Sequence, residues 1–391
     1  MLTHHILKQN STETGGATAL VRVQLFALQN PGEVHLPASL SKDLPRATTV
    51  GSVSFGQRQA EAVFKSPDNH RRDNRLGMGA DIMQALGLRP GSRLRAAWDS
   101  TRNRLRLGPV VAIMAWRCRS FPSFHLFGPA TDMVRTFVRL VRARGAVGYA
   151  FSPKEIHWES NSVIGYIPAG RGWRKALMPL PDVVYDRIQS RAIDASKRVQ
   201  TAKQRLMAME SIHYFNPFFL DKWETYEALV QDPQAKHYLP RTERLTSLDQ
   251  LGPWLRAYPT VFIKPASGSL GMGIVKISRM ARGYRYHRIR MGGGSRAGVC
   301  SSLRKLQARL RAILPRRSMI IQQGLNLARY GGRPYDIRVM VQKTPRGNWV
   351  CTNMIARVAS PGSAVSNVAE GGTMISVRRA IKGSLRINPR V

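Results

Sequence analysis

The chain has 391 residues, 43% of them hydrophobic, which is enough to bury two or three cores and excludes a disordered polycation. Lys and Arg number 61 against 23 Asp and Glu, a formal charge of +38. That field favours phosphates, nucleic acid, anionic surfaces or acidic peptides as partners, unless it reflects only arginine-rich codon usage on a solvated surface. Cys118, Cys300 and Cys351 lie far apart with no metal-ligand spacing, so neither a zinc site nor a disulfide framework is expected.

In chain order, "MLTHHILKQNSTETGG" lacks the basic-then-apolar order of a signal peptide. The apolar run at residues 110–116 is too short to cross a bilayer. No membrane span and a cytoplasmic location are therefore expected. "ALVRVQLFAL", "TTVGSVSF", "AEAVF", "GSRLRAAWD" and "NRLRLGPVVAIMA" read as strands and "GADIMQALGL" as a short helix, giving an N-terminal β-rich module over residues 1–107. Next, "VVAIMAW", "PATDMVRTFVRLVRARG" and "AVGYAF" run strand, helix, strand, the βαβ unit of an open α/β sheet, placed at residues 108–205. In "PLPDVVYDRI" the even spacing puts Asp182 and Asp186 on one strand face. The pair suits a substrate amine or a metal, but carboxylates beside arginines such as Arg187 and Arg191 more often form a structural ion pair.

A helix, "AIDASKRVQTAKQRLMAMESI", precedes "FNPFFLDKWETYEALVQD", in which Asp221 caps a helix opening at Lys222 or Trp223 with Glu224 in its first turn. Lys222 then stands at a helix N-terminus, aimed at a cleft or simply at solvent. The strand "TVFIKP" carries Lys264 and leads into "ASGSLGMGI", where Gly268, Gly271 and Gly273 remove Cβ atoms from the path of a close approach. The order is neither a Walker A loop nor a dinucleotide fingerprint, since no Gly-Lys-Ser/Thr ends it and no helix follows. Two readings stay open for the loop alone: a glycine hairpin folded over a polyphosphate with Lys264 beside it, or an ordinary hairpin turn.

"SRMARGYRYHRIRMGGGSRA" mixes aromatic and basic residues, which suits stacking on single-stranded nucleic acid or an excursion of strands in a small sheet. The helix "VCSSLRKLQARLRAIL" and the strands "MIIQQGL", "YDIRVMVQ" and "WVCTNMIARVA" follow, with "TPRG" as the turn between the last two. Arg338 and Arg357 on neighbouring antiparallel strands would set two guanidiniums on one face, suited to a triphosphate or a carboxylate, or else stand as two exposed arginines.

Taken in order, "LRLGPVVAIM", "PLPDVVYDRI", "FNPFFLDKWETYEAL", "LPRT", "FIKPASGSLGMGI", "IIQQGL", "YDIRVMVQ" and "NVAEGG" resemble the YheC/YheD family, associated with the endospore coat, within the ATP-grasp superfamily. The resemblance implies an α/β (α+β) chain: the β-rich module, an α/β pre-ATP-grasp domain, and an ATP-grasp domain over residues 206–391. It implies ATP as cofactor. Lys222 and Lys264 would contact its phosphates, residues 267–273, among them Ser267, Gly268, Ser269, Gly271 and Gly273, would form the mobile loop over the triphosphate, and Gln322, Gln323 and Leu325 would fall on the hinge that reads adenine. Asp336, Arg338, Arg357 and Asn367 would lie below the phosphates and the substrate, with Arg338, Arg357 and Asn367 the candidate catalytic residues.

Such enzymes activate a carboxylate as an acylphosphate that an amine attacks, with magnesium bridging phosphate oxygens. The family draws its metal ligands from late carboxylates, including a Glu-x-Asn. From Gly331 to Val391 the carboxylates are Asp336 and Glu370, and no Glu-x-Asn occurs. The expectation is a site whose magnesium ligands are missing, in a domain truncated at its C-terminal end or completed by a partner, with a sheet edge and core surface left open. Three functions follow as expectations: an ATP-dependent carboxylate–amine ligase-like protein acting on an acidic peptide or a spore-coat component; an inactive relic serving as a coat scaffold; or, on charge alone and with no nucleic-acid motif to support it, a nucleic-acid-binding protein.

Overall fold

The structure is a computed structural model that describes residues 21–41, 44, 48–66, 74–268, 272–289, 295–344, 346–361 and 371–385. It is a mixed α/β chain of two compact units, Met1–Phe219 and Leu220–Val391.

The first unit opens with seven short strands: β1 (Val21–Leu28), β2 (Glu33–His35), β3 (Thr48–Phe55), β4 (Arg58–Lys65), β5 (Arg75–Gly79), β6 (Arg93–Asp99) and β7 (Arg104–Leu107). They close into a barrel in the order β1-β5-β2-β4-β3-β7-β6, the first and last strands pairing antiparallel. Alternation in the sequence sets the two faces. Leu94, Ala96 and Trp98 of β6 and Leu105 and Leu107 of β7 turn inwards, where Trp98 meets Phe64 edge to face at 4.8 Å. Arg104 and Arg106 consequently face out, level with Ser52 and Ser54 of β3.

A second sheet follows, with β8 (Val110–Met114), β9 (Val147–Phe151), β10 (Ile156–His157), β11 (Ser162–Ala169), β12 (Gly172–Pro179), β13 (Val183–Asp186) and β14 (His213–Phe215). Its path is β10-β11-β9-β8-β13-β14, and β12 pairs with β11. The parallel β8 and β9 are joined through the Thr131–Ala143 helix, the βαβ unit expected from the sequence. One apolar core runs through barrel and sheet, from Val23 and Phe64 to Tyr149, Val184 and Ile212.

The aspartates of "PLPDVVYDRI" are structural. Asp182 accepts from the Val110 amide at 2.7 Å. Asp186 is buried against Lys203, Nζ to Oδ2 2.6 Å, and accepts from the Tyr214 hydroxyl at 2.8 Å. Lys203 also pairs with Asp194 and donates to the Pro217 carbonyl at 2.8 Å. The ion pair anticipated with Arg187 and Arg191 is thus made by a lysine of the Lys197–Ala208 helix, which the fold brings back over the strand. The single helix expected there is two, Arg191–Asp194 and Lys197–Ala208, because Ser190 and Ser196 each stand in extended backbone at an N-cap.

In the second unit β15 (Thr242–Arg244), β16 (Thr260–Pro265), β17 (Val275–Arg279), β18 (Tyr284–Ile289), β19 (Ser295–Cys300) and β20 (Met319–Gln323) form a sheet ordered β15-β20-β16-β17-β18-β19. The "YRYHRI" segment is one of its strands, as the strand-excursion reading has it. Val261, Ile263, Val275, Ile277 and Ile321 bury one side against the Leu251–Ala257 and Leu303–Ile313 helices. A further sheet orders β21 (Arg329–Tyr330), β22 (Arg333–Lys343), β23 (Trp349–Val358) and β24 (Thr373–Ile375). Its small core is Tyr335, Ala356, Val358 and Ala380, the last from the Val377–Leu385 helix. Towards the β22–β23 turn the hairpin stands open: Ile337, Val339, Val341 and Trp349 are exposed.

Candidate functional site

The site grows from the side of β16 that does not face the core. Along this strand Val261, Ile263 and Pro265 are buried, so Phe262 and Lys264 take the opposite face. The register sets Phe262 opposite Gln322 of β20, and Gln322 opposite Thr242 of β15. A polar chain results: the Lys264 ammonium donates to Gln322 Oε1, the Gln322 amide donates to Thr242 Oγ1 at 2.8 Å, and Thr242 donates to the Pro240 carbonyl at 2.9 Å. Lys264 is half-buried and has no carboxylate within ion-pair distance among the described residues.

Lys222 reaches the same place from another element. Asp221 caps the Lys222–Val230 helix by accepting from the Glu224 amide at 2.7 Å, and Glu224 returns a bond to the Asp221 amide, so the helix start is fixed at Lys222. The Lys222 amide donates to Ala266 O at 2.9 Å, and its ammonium donates to the carbonyls of Pro265 at 2.9 Å and Gly268 at 3.0 Å. Lys222 therefore bridges the helix N-terminus and the first residues of the glycine loop. Burial, and then the Lys222 charge, lower the Lys264 ammonium to about 8.

The loop joins two antiparallel strands, β16 and β17, as a hairpin. Gly268 has φ +138°, a conformation side chains avoid, and a Cβ there would meet nothing within 4 Å. Gly273 has φ +73°, and a Cβ on it would come within 3.2 Å of Arg317 Nη2 and 3.3 Å of Pro265. Ser267 is exposed beside Gly268. Ser269, Gly271 and Asn367 lie outside the described residues.

At the far end of β20, Gln323 and Arg241 hold each other: the Gln323 amide donates to Arg241 O at 2.9 Å, and the Arg241 amide to Gln323 Oε1 at 3.2 Å. Leu325, two residues on, is exposed. Lys222, Lys264, Ser267, Gly268, Gly273 and Gln322 thus belong to one neighbourhood, with Gln323 and Leu325 continuing from its edge. Arg317 and Thr242 join it without having been singled out in the sequence. Arg317 is one arginine of many, and Thr242 is recognisable only once β15 is known to lie beside β20.

Asp336, Arg338 and Arg357 share one face of the β22–β23 hairpin, since Asp336 pairs in register with Arg357 and Arg338 with Ile355. Arg357 is not a free guanidinium. It makes two hydrogen bonds to Asp336, at 2.8 and 2.7 Å, and that contact raises its pKa further. Arg338 is exposed.

The arrangement suits a polyphosphate: two ammoniums meet at the start of a glycine loop, and the Lys264 charge is partly desolvated without an acid to balance it. A magnesium site does not assemble from the described residues. They contain no cluster of three or more His, Cys, Asp or Glu able to hold an ion, and both Asp336 oxygens already accept from Arg357. No described helix is long and apolar enough to cross a membrane.

Residues 211–389 match the family described as YheC/D like ATP-grasp. The endospore coat-associated protein YheD of Bacillus subtilis (strain 168) is 30% identical over 273 residues, 69% of this chain and 59% of that protein. YheC of the same strain, likewise described as endospore coat-associated, is 22% identical over 213 residues, 54% of this chain and 58% of that protein. The chain thus spans less than two thirds of the length of either relative. Among solved structures, the ATP-grasp ligase PsnB complexed with minimal precursor, Mg and ADP aligns at 13% identity over 70% of this chain and 80% of that one, with a TM-score of 0.35. Residues 211–389 are thus a YheC/D like ATP-grasp region, in a chain similar to the YheD and YheC proteins.

Proposed function

We propose that this chain binds ATP on the β16 face and is ligase-like, joining a carboxylate to an amine. The single observation that carries the reading is the meeting of Lys222 and Lys264. Two half-buried ammoniums within each other's field cost the fold free energy, and a polyphosphate held between them removes that cost. Bound ATP would supply the phosphoryl group that activates the carboxylate.

The chain's own part is to hold and orient. Lys264, kept in place by Gln322, would meet phosphate oxygens from the strand side, and Lys222 from the helix side. The backbone near Gly268 and Gly273 would close over them, with Arg317 at the loop's foot. Gln322, Gln323 and Leu325 would border the base. Arg338 would reach the reacting end from the hairpin, joined by Arg357 if Asp336 releases it, with Asn367 assigned there by the family resemblance. In this reading magnesium arrives with the nucleotide.

The name of the relatives favours a component of the endospore coat as the acceptor, and the charge of +38 suits an acidic one, such as an acidic peptide. Titration calorimetry with ATP and a non-hydrolysable analogue tests the site. Micromolar binding lost in Lys264→Ala supports it, and no binding by the folded wild-type chain overturns it. Release of ADP dependent on an added carboxylate and amine then tests the reaction.

A further inference from the structure

The first unit contains a cavity of about 330 Å³ that the nucleotide reading does not use. Its walls come from the β3–β4 turn, the outer face of β7, and the segments around Asp182 and Ser211. That volume lies in the range of pockets that hold small ligands. Alternation along β7 brings Arg104 and Arg106 to this wall, Arg58 stands at the start of β4, and Arg102 sits at the rim, against two carboxylates, Asp182 and Glu210.

The arginines are under-partnered. Arg102 and Arg104 approach Asp99 at 3.9 and 3.7 Å, distances of loose ion pairs. Arg104 Nε is buried without a hydrogen-bond partner. The guanidiniums of Arg58 and Arg106 make no hydrogen bond or ion pair with any described residue, and burial pulls Arg58 below its ordinary pKa. Asp182 makes no ion pair with them: it spends Oδ2 on the Val110 amide and stays beyond ion-pair distance of Arg104 and Arg106, so their charges act on it only across the cavity, and burial still pushes its pKa up.

The wall is also held in place. The Gln57 amide donates to Leu180 O at 2.9 Å, its side chain donates to Pro181 O at 3.2 Å, and Ser211 bonds to the same side chain. Gly56 packs so closely that a Cβ would fall 2.3 Å from Leu180 O, so the turn preceding Arg58 is pinned to the sheet. Guanidiniums with unused donors, lining one cavity on a wall whose turn is pinned, suit a phosphate group bound through paired N–H donors.

We propose that this arginine-lined cavity of the first unit is a second anion site, taking a small, multiply charged phosphate-bearing ligand held by Arg58, Arg104 and Arg106. It is independent of the nucleotide reading, because no residue is shared.

The test uses the full chain carrying Lys264→Ala, which weakens the β16 face, and titrates inorganic pyrophosphate by calorimetry in chloride buffer. Saturable binding is expected, weakened at least 10-fold by adding Arg58→Gln and Arg106→Gln and partly kept by Arg58→Lys and Arg106→Lys, with circular dichroism melts confirming that each variant is folded. If the glutamine pair unfolds the unit, loss of binding in the folded Arg104→Gln chain serves in its place. Absence of pyrophosphate binding in the Lys264→Ala chain, or equal affinity after the arginine substitutions, overturns the proposal.

Discussion

Asp336 and Arg357 face each other across β22 and β23, and the two carboxylate oxygens accept from Nε and Nη2 of one guanidinium. The pair is about one-third exposed, so solvent screens it. Either alanine variant should lower stability by only about 0.5–1 kcal/mol, and the double variant should cost scarcely more, as expected of a partly exposed pair in a double-mutant cycle. Chemical denaturation checks this; a loss of about 3 kcal/mol or more in either single variant would mean that the pair organises the hairpin.

The two lysines should be separable from the general positive charge. Lys222→Ala and Lys264→Ala should each weaken ATP binding by about 1–3 kcal/mol, the range for losing a charge-assisted hydrogen bond. Lys305→Ala, on the Leu303–Ile313 helix, should bind as wild type does. Calorimetry on the three variants decides it, and identical affinities would remove the lysine pair from the site.

Titration gives an independent check on Lys264. Its folded pKa of about 8 lies below the ordinary 10.5. Below pH 8 both folded and unfolded chains hold the proton and the penalty is complete; between 8 and 10.5 the unfolded chain holds more protons, so stability rises with pH through that window. Relative to Lys264→Met, the free protein should gain stability from pH 8 upward, while ATP affinity falls over the same range as the ammonium is lost. Parallel pH curves for wild type and Lys264→Met would contradict the assignment.

Gly273→Val should act on the loop and not on the core. Its φ of +73° is strained for a β-branched residue, and the added Cβ meets Arg317 and Pro265. A stability loss of about 1–2 kcal/mol is expected together with weaker ATP binding. Full ATP affinity in a folded Gly273→Val chain would reduce the loop to an ordinary turn.

In the first unit the sensitive point is Lys203. Removing it strands Asp186 and Asp194 in the interior, and Lys203→Met should cost about 3–5 kcal/mol. The buried charge left behind is the cause, so adding Asp186→Asn to Lys203→Met should recover part of the loss. Urea melts of the two variants measure both effects.

Local periodicity and capping make much of this architecture legible in the sequence. Asp221 and Glu224 mark a helix start with their own side chains, and the alternation in "TVFIKP" already puts Lys264 opposite the buried Val261 and Ile263. What stayed hidden depends on elements distant in sequence. The partner of Asp186 is Lys203, made so by the return of a helix over β13, and no local pattern distinguishes it from the nearer Arg187. The placing of Gln322 against Lys264 and Thr242 needs the order β15-β20-β16, which crosses the chain twice. The hold of Asp336 on Arg357 follows from register, and a shift of one residue would turn Arg357 to the other face, away from both Asp336 and Arg338.

The apolar interior that runs unbroken from Val23 of the barrel to Ile212 beside β14 bears on how the protein can be dissected. Cutting after Leu107 would bare Leu180 and Val184 on one fragment and deprive the other of the surface its turn at Gly56 rests on. Neither piece would be expected to express as a well-behaved solution species. Division at Phe219, where the two compact units meet in the sequence, leaves that interior whole, and is the place to separate the arginine cavity from the lysine pair for study one at a time.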